Sequence, residues 1–284
     1  MNLKNLPDEI ILFILSHLIE IKDIIHFSVT DKRNNKIVND NKEIFNHLIT
    51  LINNQTLNKI NNYNIIGKLE LNIQGYELNF RKIKPYINNI NKLVIDYREI
   101  DDEDLSIINK VNIIEFIECK LTLNISSFAN FESNINVLSI TWCKEITDIS
   151  SLASETSKIH TLNLSGCKNI TDISSLGSET CKIHTLYLSY CENISDISAL
   201  GSKTSKIHTL NLSGCYRIKD ISSLGSFTSK IHTLNLSGCK GITDISSLVS
   251  FTSKIHTLNL SRCNNITDIS ILKRETNKIR TLNL

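Results

Sequence analysis

The chain lacks the long apolar runs of a membrane protein. Its longest, Ile10 to Leu15, falls well short of the roughly 18 residues that a span requires. That run follows Asp8 and Glu9 rather than a basic region, which argues against a secretory leader. An excess of charge is also missing. Lys and Arg number 31 against 29 Asp and Glu, a formal net of +2, so composition carries no polyanion-binding signal and no nucleic-acid partner is expected. Proline occurs only twice, at Pro7 and Pro85. No C-x₂₋₄-C pair, phosphate-cradling Gly loop or Ser-His-Asp set stands out. The expectation is therefore a chain that is not an enzyme, with no catalytic residue, no metal and no cofactor.

What the chain does have is repetition. The Leu of an "LNL" phrase falls at Leu138, Leu162, Leu186, Leu210, Leu234, Leu258 and Leu282, a period of 24. One period earlier stands Ile114, and eroded copies surround Leu93 and Leu69. Residues 65–284 read as about ten coils, regular from 110 onward, the last cut off after its strand. Within the unit that starts at Lys158, Ile159, Leu162 and Leu164 give a strand with one buried face. Ile170, Ile173 and Leu176, spaced by three, suit a 3₁₀ turn or one short helix, with Asp172 in the position of an N-cap. A lone unit cannot bury its apolar edge, whereas stacked neighbours can.

This L-x-x-L-x-L-x-x-C pattern resembles the leucine-rich repeat, Cys-containing type. The resemblance implies an α/β solenoid with parallel strands on the concave face and short helices or 3₁₀ turns on the convex face.

Eight cysteines are present, and seven share one phase: Cys119, Cys143, Cys167, Cys191, Cys215, Cys239 and Cys263. One thiol per coil makes a line rather than a metal cage, and seven equivalent copies argue against one special nucleophile. The expected role is structural, filling space and bonding backbone where the chain leaves the strand. Nothing routes the chain outward, so the thiols are expected to be reduced, in the cytosol or nucleus. Cys181 stands outside the column and reads as an exposed, incidental thiol. His160, His184, His208, His232 and His256 form a second column, expected on the rim near the start of each strand. Stacked imidazoles resist charging together, so their pKa values should fall. Asp148, Asp172, Asp196, Asp220, Asp244 and Asp268 read as caps.

The repetition makes its own exceptions visible. Trp142, Tyr190 and Arg262 stand where three other copies have Gly, and Tyr187 replaces Asn. Tyr216 and Arg217 follow Cys215. Large aromatics and Arg are favoured interface anchors, so these six are the candidate target-binding residues. Drift after tandem duplication is the alternative. The expected concave columns are Thr161, Asn163, Ser165 and their copies.

The first 50 residues break the repeat. "LPDEIILFILSHL" opens with Pro7 and acids in the first turn, then places Ile10, Ile14 and Leu18 on one stripe and Ile11 and Leu15 on another. Further helices are expected over 22–29 and 32–38, with Asn39 to Ile52 a candidate fourth. An Asn-rich connector, 51–64, leads to the repeats. "LPDEI", "IKDIIHFSVTDKR" and "VNDNKEIF" keep the order and spacing of the F-box, and the head resembles that small all-α module. Asn34 stands where an aromatic usually follows the Lys-Arg pair.

Head and repeats together resemble the F-box/leucine-rich-repeat family. The resemblance implies a substrate-recognition adaptor of a Skp-cullin-F-box ubiquitin ligase. Its head would dock on the Skp adaptor, and through it a cullin, by Leu6, Pro7, Ile10, Ile14, Leu15 and Leu18, with Ile24 and Ile25. Its repeats would hold a target protein. The rival reading is a scaffold or sequestering inhibitor whose head serves only as an N-terminal cap.

Overall fold

The computed structural model describes residues 49–50, 69–74, 84, 87, 90–96, 99–121, 125–273 and 278–284. Alternating apolar and polar residues generate short strands that stack in parallel. They are β1 (Ile49–Thr50), β2 (Leu69–Gln74), β3 (Ile90–Asp96), β4 (Glu99–Ile100), β5 (Ile113–Ile117), β6 (Lys120–Leu121) and β7 (Val137–Thr141). Three-residue strands follow: β8 (Thr161–Asn163), β9 (Thr185–Tyr187), β10 (Thr209–Asn211), β11 (Thr233–Asn235), β12 (Thr257–Asn259) and β13 (Thr281–Asn283). Eleven of them form one sheet in the order β1-β2-β3-β5-β7-β8-β9-β10-β11-β12-β13, while β4 pairs with β6. From β7 onward the register is one period per coil, with Leu162 opposite Leu186 and Leu186 opposite Leu210. The leucine-rich-repeat solenoid expected from the sequence is therefore the architecture of the described repeats.

The convex side changes along the chain. Asp102–Ile108 is an α-helix, α1, closed by a capping box in which Asp104 N–H donates to Asp101 Oδ1 at 2.8 Å. From residue 125 on, each convex segment is a single 3₁₀ turn such as Ser174–Gly177 or Ser198–Gly201. The spacing of Ile170, Ile173 and Leu176 matches this tighter winding, and all three are buried. Asp172 acts one residue before the position expected of it. Ile173 is the N-cap, and Asp172 Oδ1 accepts from Ser174 N–H at 2.8 Å. The same bond recurs at Asp148, Asp196, Asp220, Asp244 and Asp268. At the five carboxyls from Asp148 to Asp244, these backbone N–H groups lower the pKa.

The core runs the length of the stack. In the coil of β9, Ile183, Leu186, Leu188, Cys191, Ile194, Ile197 and Leu200 are all buried. The cysteines tie coil to coil. Cys191 Sγ donates to the Leu164 carbonyl of the preceding coil at 3.1 Å, and that carbonyl also accepts Cys167 N–H at 3.1 Å. Cys167, Cys215, Cys239 and Cys263 repeat the reach to the preceding coil, at 3.0–3.1 Å. Just past the strand's end this buried carbonyl is thereby satisfied by a turn N–H and a thiol together. Cys119 makes the same kind of bond to Ile95 O at 3.1 Å, while Cys143 reaches Thr141 O at 3.5 Å.

Two expectations need correcting. Cys181 is fully buried, not exposed. It occupies the phase of Ser157, Ser205, Ser229 and Ser253, which are buried as well. Those serines look like loop residues but serve the interior: Ile159 N–H, for example, donates to Ser157 Oγ at 3.3 Å. The sheet also begins earlier than the expected boundary. Ile49 and Thr50, assigned to a candidate fourth helix, form β1 and pair in parallel with Glu70 and Leu71.

Burial pushes the thiols of Cys167, Cys191, Cys215 and Cys239 up to about 12. In mildly alkaline buffer these four should not react with a water-soluble disulfide reagent while the protein is folded. All eight cysteines should titrate after unfolding in guanidinium. Reaction of the folded protein at the rate of a free thiol would show that the column is accessible and not structural.

Candidate protein-binding face

The strand residues that face away from the core form three half-buried columns, typified by Thr161, Asn163 and Ser165. Their geometry follows from a local turn. Asn163 Oδ1 accepts from Ser165 N–H at 3.0 Å, and Asn211, Asn235 and Asn259 do the same for Ser213, Ser237 and Ser261 at 2.9–3.0 Å. The amide oxygens are thus committed to their own backbone, which leaves the amide nitrogens as the donors of that column. Between Val137 and Ser261 these columns contain no charged residue.

Just beyond each strand the backbone enters the left-handed region. Gly166, Gly214 and Gly238 have φ of 78°, 73° and 70°. At the equivalent position of other coils, Glu118, Trp142, Tyr190 and Arg262 have φ of 51°, 59°, 59° and 61°. The conformation is imposed by the stack, because the N–H of this residue donates to the next coil: Trp142 N to Ser165 O at 2.9 Å, Tyr190 N to Ser213 O at 2.7 Å. Glycine adopts it without strain, and a side chain there costs about 1–2 kcal/mol. Three of the six candidate target-binding residues, Trp142, Tyr190 and Arg262, therefore share one strained column.

The structure brings two of the six together. The rings of Trp142 and Tyr190 stack with centroids 6.0 Å apart and planes 25° from parallel, although two coils separate them in sequence. They remain 42% and 44% exposed, so the pair is a surface feature and not part of the core. Glycine makes room for it. A Cβ on Gly166 would overlap the Trp142 ring, and one on Gly214 would press on Tyr190. The other four do not join this pair. Tyr187 sits half-buried in the Asn column, Arg217 and Arg262 are exposed, and Tyr216 lies under Lys240, whose Nζ is 5.6 Å from the ring centroid. Sequence reasoning missed Lys240 and Glu118. It also missed the ion pair of Lys168 with Glu192 at 2.9 Å. The recurrence of Gly directly before Cys was the available signal for the left-handed column.

At the other end of the strands the five histidines form a continuous stack, with ring centroids 5.5–5.6 Å apart and planes 5–13° from parallel. Partial burial lowers the pKa of His184 below its ordinary 6.5. Against that, a hydrogen bond with the Lys182 carbonyl raises it, and His160, His208 and Lys206 add further lowering. Burial likewise lowers His232, assisted by His208, His256 and Lys254 and opposed by the Lys230 carbonyl. Among the described residues no group of three or more His, Cys, Asp or Glu is placed to hold a metal ion. The head residues Leu6, Pro7, Ile10, Ile14, Leu15, Leu18, Ile24 and Ile25 lie outside the described residues. No helix among the described residues is long and apolar enough to cross a membrane.

Comparison with known proteins agrees with the repeat geometry. Residues 181–226 match the family model described as leucine rich repeats, in two copies. The described repeats are a leucine-rich-repeat solenoid. No curated protein matches the chain significantly. Among solved structures, the leucine-rich repeat domain of the type III effector XopL is similar to this solenoid. The TM-score is 0.52 at 16% identity, over 99% of this chain and 97% of that one. The TLR13–ssRNA13 complex matches with a TM-score of 0.49 at 17% identity, over 74% of this chain and 30% of that one. This chain thus spans less than a third of the latter protein. At 16% identity the likeness to the XopL domain shows the fold alone.

Two outcomes test this description of the solenoid's surface. The folded state resists protonation of His184 and His232, so the unfolded chain binds more protons near pH 6.5. Stability should hold above that value and fall as pH drops through it. Replacing the shared neighbour, His208→Gln, should raise both pKa values in an NMR titration and shrink the loss; unchanged values would refute the coupling. Separately, Tyr190→Gly relieves strain of about 1–2 kcal/mol and gives up a ring contact of about 0.5–1.5 kcal/mol. Its urea-derived stability should stay within about 1 kcal/mol of wild type, where Leu186→Ala should lose about 2–5 kcal/mol. A loss at Tyr190 as large as at Leu186 would mean that the ring belongs to the core.

Proposed function

We propose that this protein is a recruiting adaptor: the repeats hold a target protein, and residues 1–50 dock on the Skp-type adaptor of a cullin ubiquitin ligase. The observation that carries the recruiting half is the exposed Trp142–Tyr190 pair, kept at backbone positions where glycine is the unstrained choice. Strain at an exposed site, with no gain to the core, supports a role in recognition. The docking half rests on the F-box-like order of "LPDEI", "IKDIIHFSVTDKR" and "VNDNKEIF" in the head. The adaptor makes and breaks no bond. It raises the effective concentration of the target beside the ligase machinery, which for a tether of modest length reaches about the millimolar range.

A pull-down of the full chain with a purified Skp-type adaptor tests the docking half. Wild type should bind, Leu6→Asp and Ile10→Asp should abolish binding, and Tyr190→Gly should leave it intact. If wild type fails to bind, or the two head variants bind as well as wild type, the ligase reading falls. The repeats would then act as a protein-binding scaffold with the head as their cap.

A further inference from the structure

The left-handed column is a ledge running along one end of the strands, and its sequence is not random: Glu118, Trp142, Gly166, Tyr190, Gly214, Gly238, Arg262. The alternation of ring and glycine is what lets the rings lie flat. Trp142 covers the place of a Cβ at Gly166, and Tyr190 covers that at Gly214. The result is an aromatic platform from Trp142 to Gly214, three coil spacings or about 14 Å at roughly 4.8 Å each. Past Tyr190, Arg217, Lys240 and Arg262 lie on the ledge or in the turns that leave it, while Lys144 and Lys168 hold the phase of Lys240 beside the rings. The acids nearby are already engaged: Glu192 with Lys168, and Asp220 and Asp244 with the N–H groups of Ser222 and Ser246. Alongside run the amide donors of Asn211, Asn235 and Asn259, in register on adjacent strands.

Resting on the protein-binding reading above, we infer that this ledge seats an extended acidic segment of the target protein. An aromatic ring or proline of the segment stacks on Trp142 and Tyr190. Its carboxylates face Arg217, Lys240 and Arg262, and its main-chain carbonyls accept from the Asn amides. Stacking platforms with basic neighbours also hold single-stranded nucleic acid, but there the positive charge tracks the backbone along the whole groove. Here Lys168 beside the rings is already paired with Glu192, the exposed carboxylates of Glu118 and Glu145 stand in the aromatic half, and the adjoining columns are neutral and lined with donors. That arrangement favours peptide.

The experiment uses the full chain and a display library of random linear peptides, with oligo(dT) as the nucleic-acid arm. Trp142 is the only tryptophan, so its emission reports on the platform alone. Enriched peptides should be net negative, should carry an aromatic residue or proline, and should shift Trp142 emission. Their affinity should fall about tenfold in Tyr190→Gly and in Arg217→Glu, with melting temperatures close to wild type. Peptides without an acidic bias, or with undiminished affinity for Tyr190→Gly, overturn this seat while leaving protein binding by another face intact. Oligo(dT) binding more tightly than any peptide, with a shift of Trp142, overturns the class of partner. A library that yields no binder overturns the seat, while docking of the head is still decided by the pull-down.

Discussion

The solenoid depends on one constraint: every coil must present its backbone to the next in the same register. At the strand this is ordinary parallel pairing, Leu186 opposite Leu162 and Leu210. At the strand's end the pairing continues through two less obvious donors. The N–H of the left-handed residue reaches the next coil, and the cysteine thiol reaches back to the coil before. A slip of register at the strand would break both, whereas the shorter coil from Leu93 to Ile114 keeps the thiol bond, from Cys119 to Ile95 O, because its strands stay in register. From Ile114 onward the sequence keeps a period of 24. The shared register is why any residue placed at one phase recurs as a column. The histidine stack, with rings 5.5–5.6 Å apart, follows from strand spacing and needs no ligand to explain it.

The same constraint separates residues that serve the stack from those that depart from it. A side chain repeated in every coil answers to its neighbours in the stack. One that appears once answers to something else, or to nothing. The left-handed column distinguishes these two cases. Trp142 and Tyr190 differ from the glycine of other coils and also sit where a side chain is strained, yet they contribute exposed surface and no core. Neutral drift tends to settle on cheap substitutions, and at this phase the cheap residue is glycine. Tyr216 lacks this argument. It sits at an unstrained turn position that also holds Lys240 and Glu192, and its contact with Lys240 accounts for its placement.

Much of the fold was legible because period, strand and turn are one-dimensional signals. The phase of Leu162, the spacing of Ile170, Ile173 and Leu176, and the capping acid two residues before Ser174 can all be read without coordinates. The misses have physical causes. Cys181 was placed outside because its column is otherwise serine, and serine suggests solvent. In the stack, that serine is buried to satisfy a backbone N–H. β1 was hidden because two residues are too few for any periodicity, and only the partner strand defines them. The left-handed torsions were hidden because aromatics interrupt the glycines that would have announced them. For the candidate site, sequence picked out which residues depart from the pattern. It could not tell that Trp142 and Tyr190 touch across an intervening coil, since that contact passes over Gly166.

The ledge also has a polarity that follows from its order. Glu118 stands at one end and Arg262 at the other, six coils apart, or about 29 Å at the strand spacing. About nine residues of extended chain cover that distance. A segment with carboxylates at one end and a basic group at the other would find opposite charges at both ends in one direction and like charges in the reverse. Stacking on Trp142 and Tyr190 is tolerant of direction, so the terminal charges, not the rings, would set the orientation. On that proposal the two halves of the ledge would divide the work: the aromatic half would hold the segment, and the charged ends would set which way it runs.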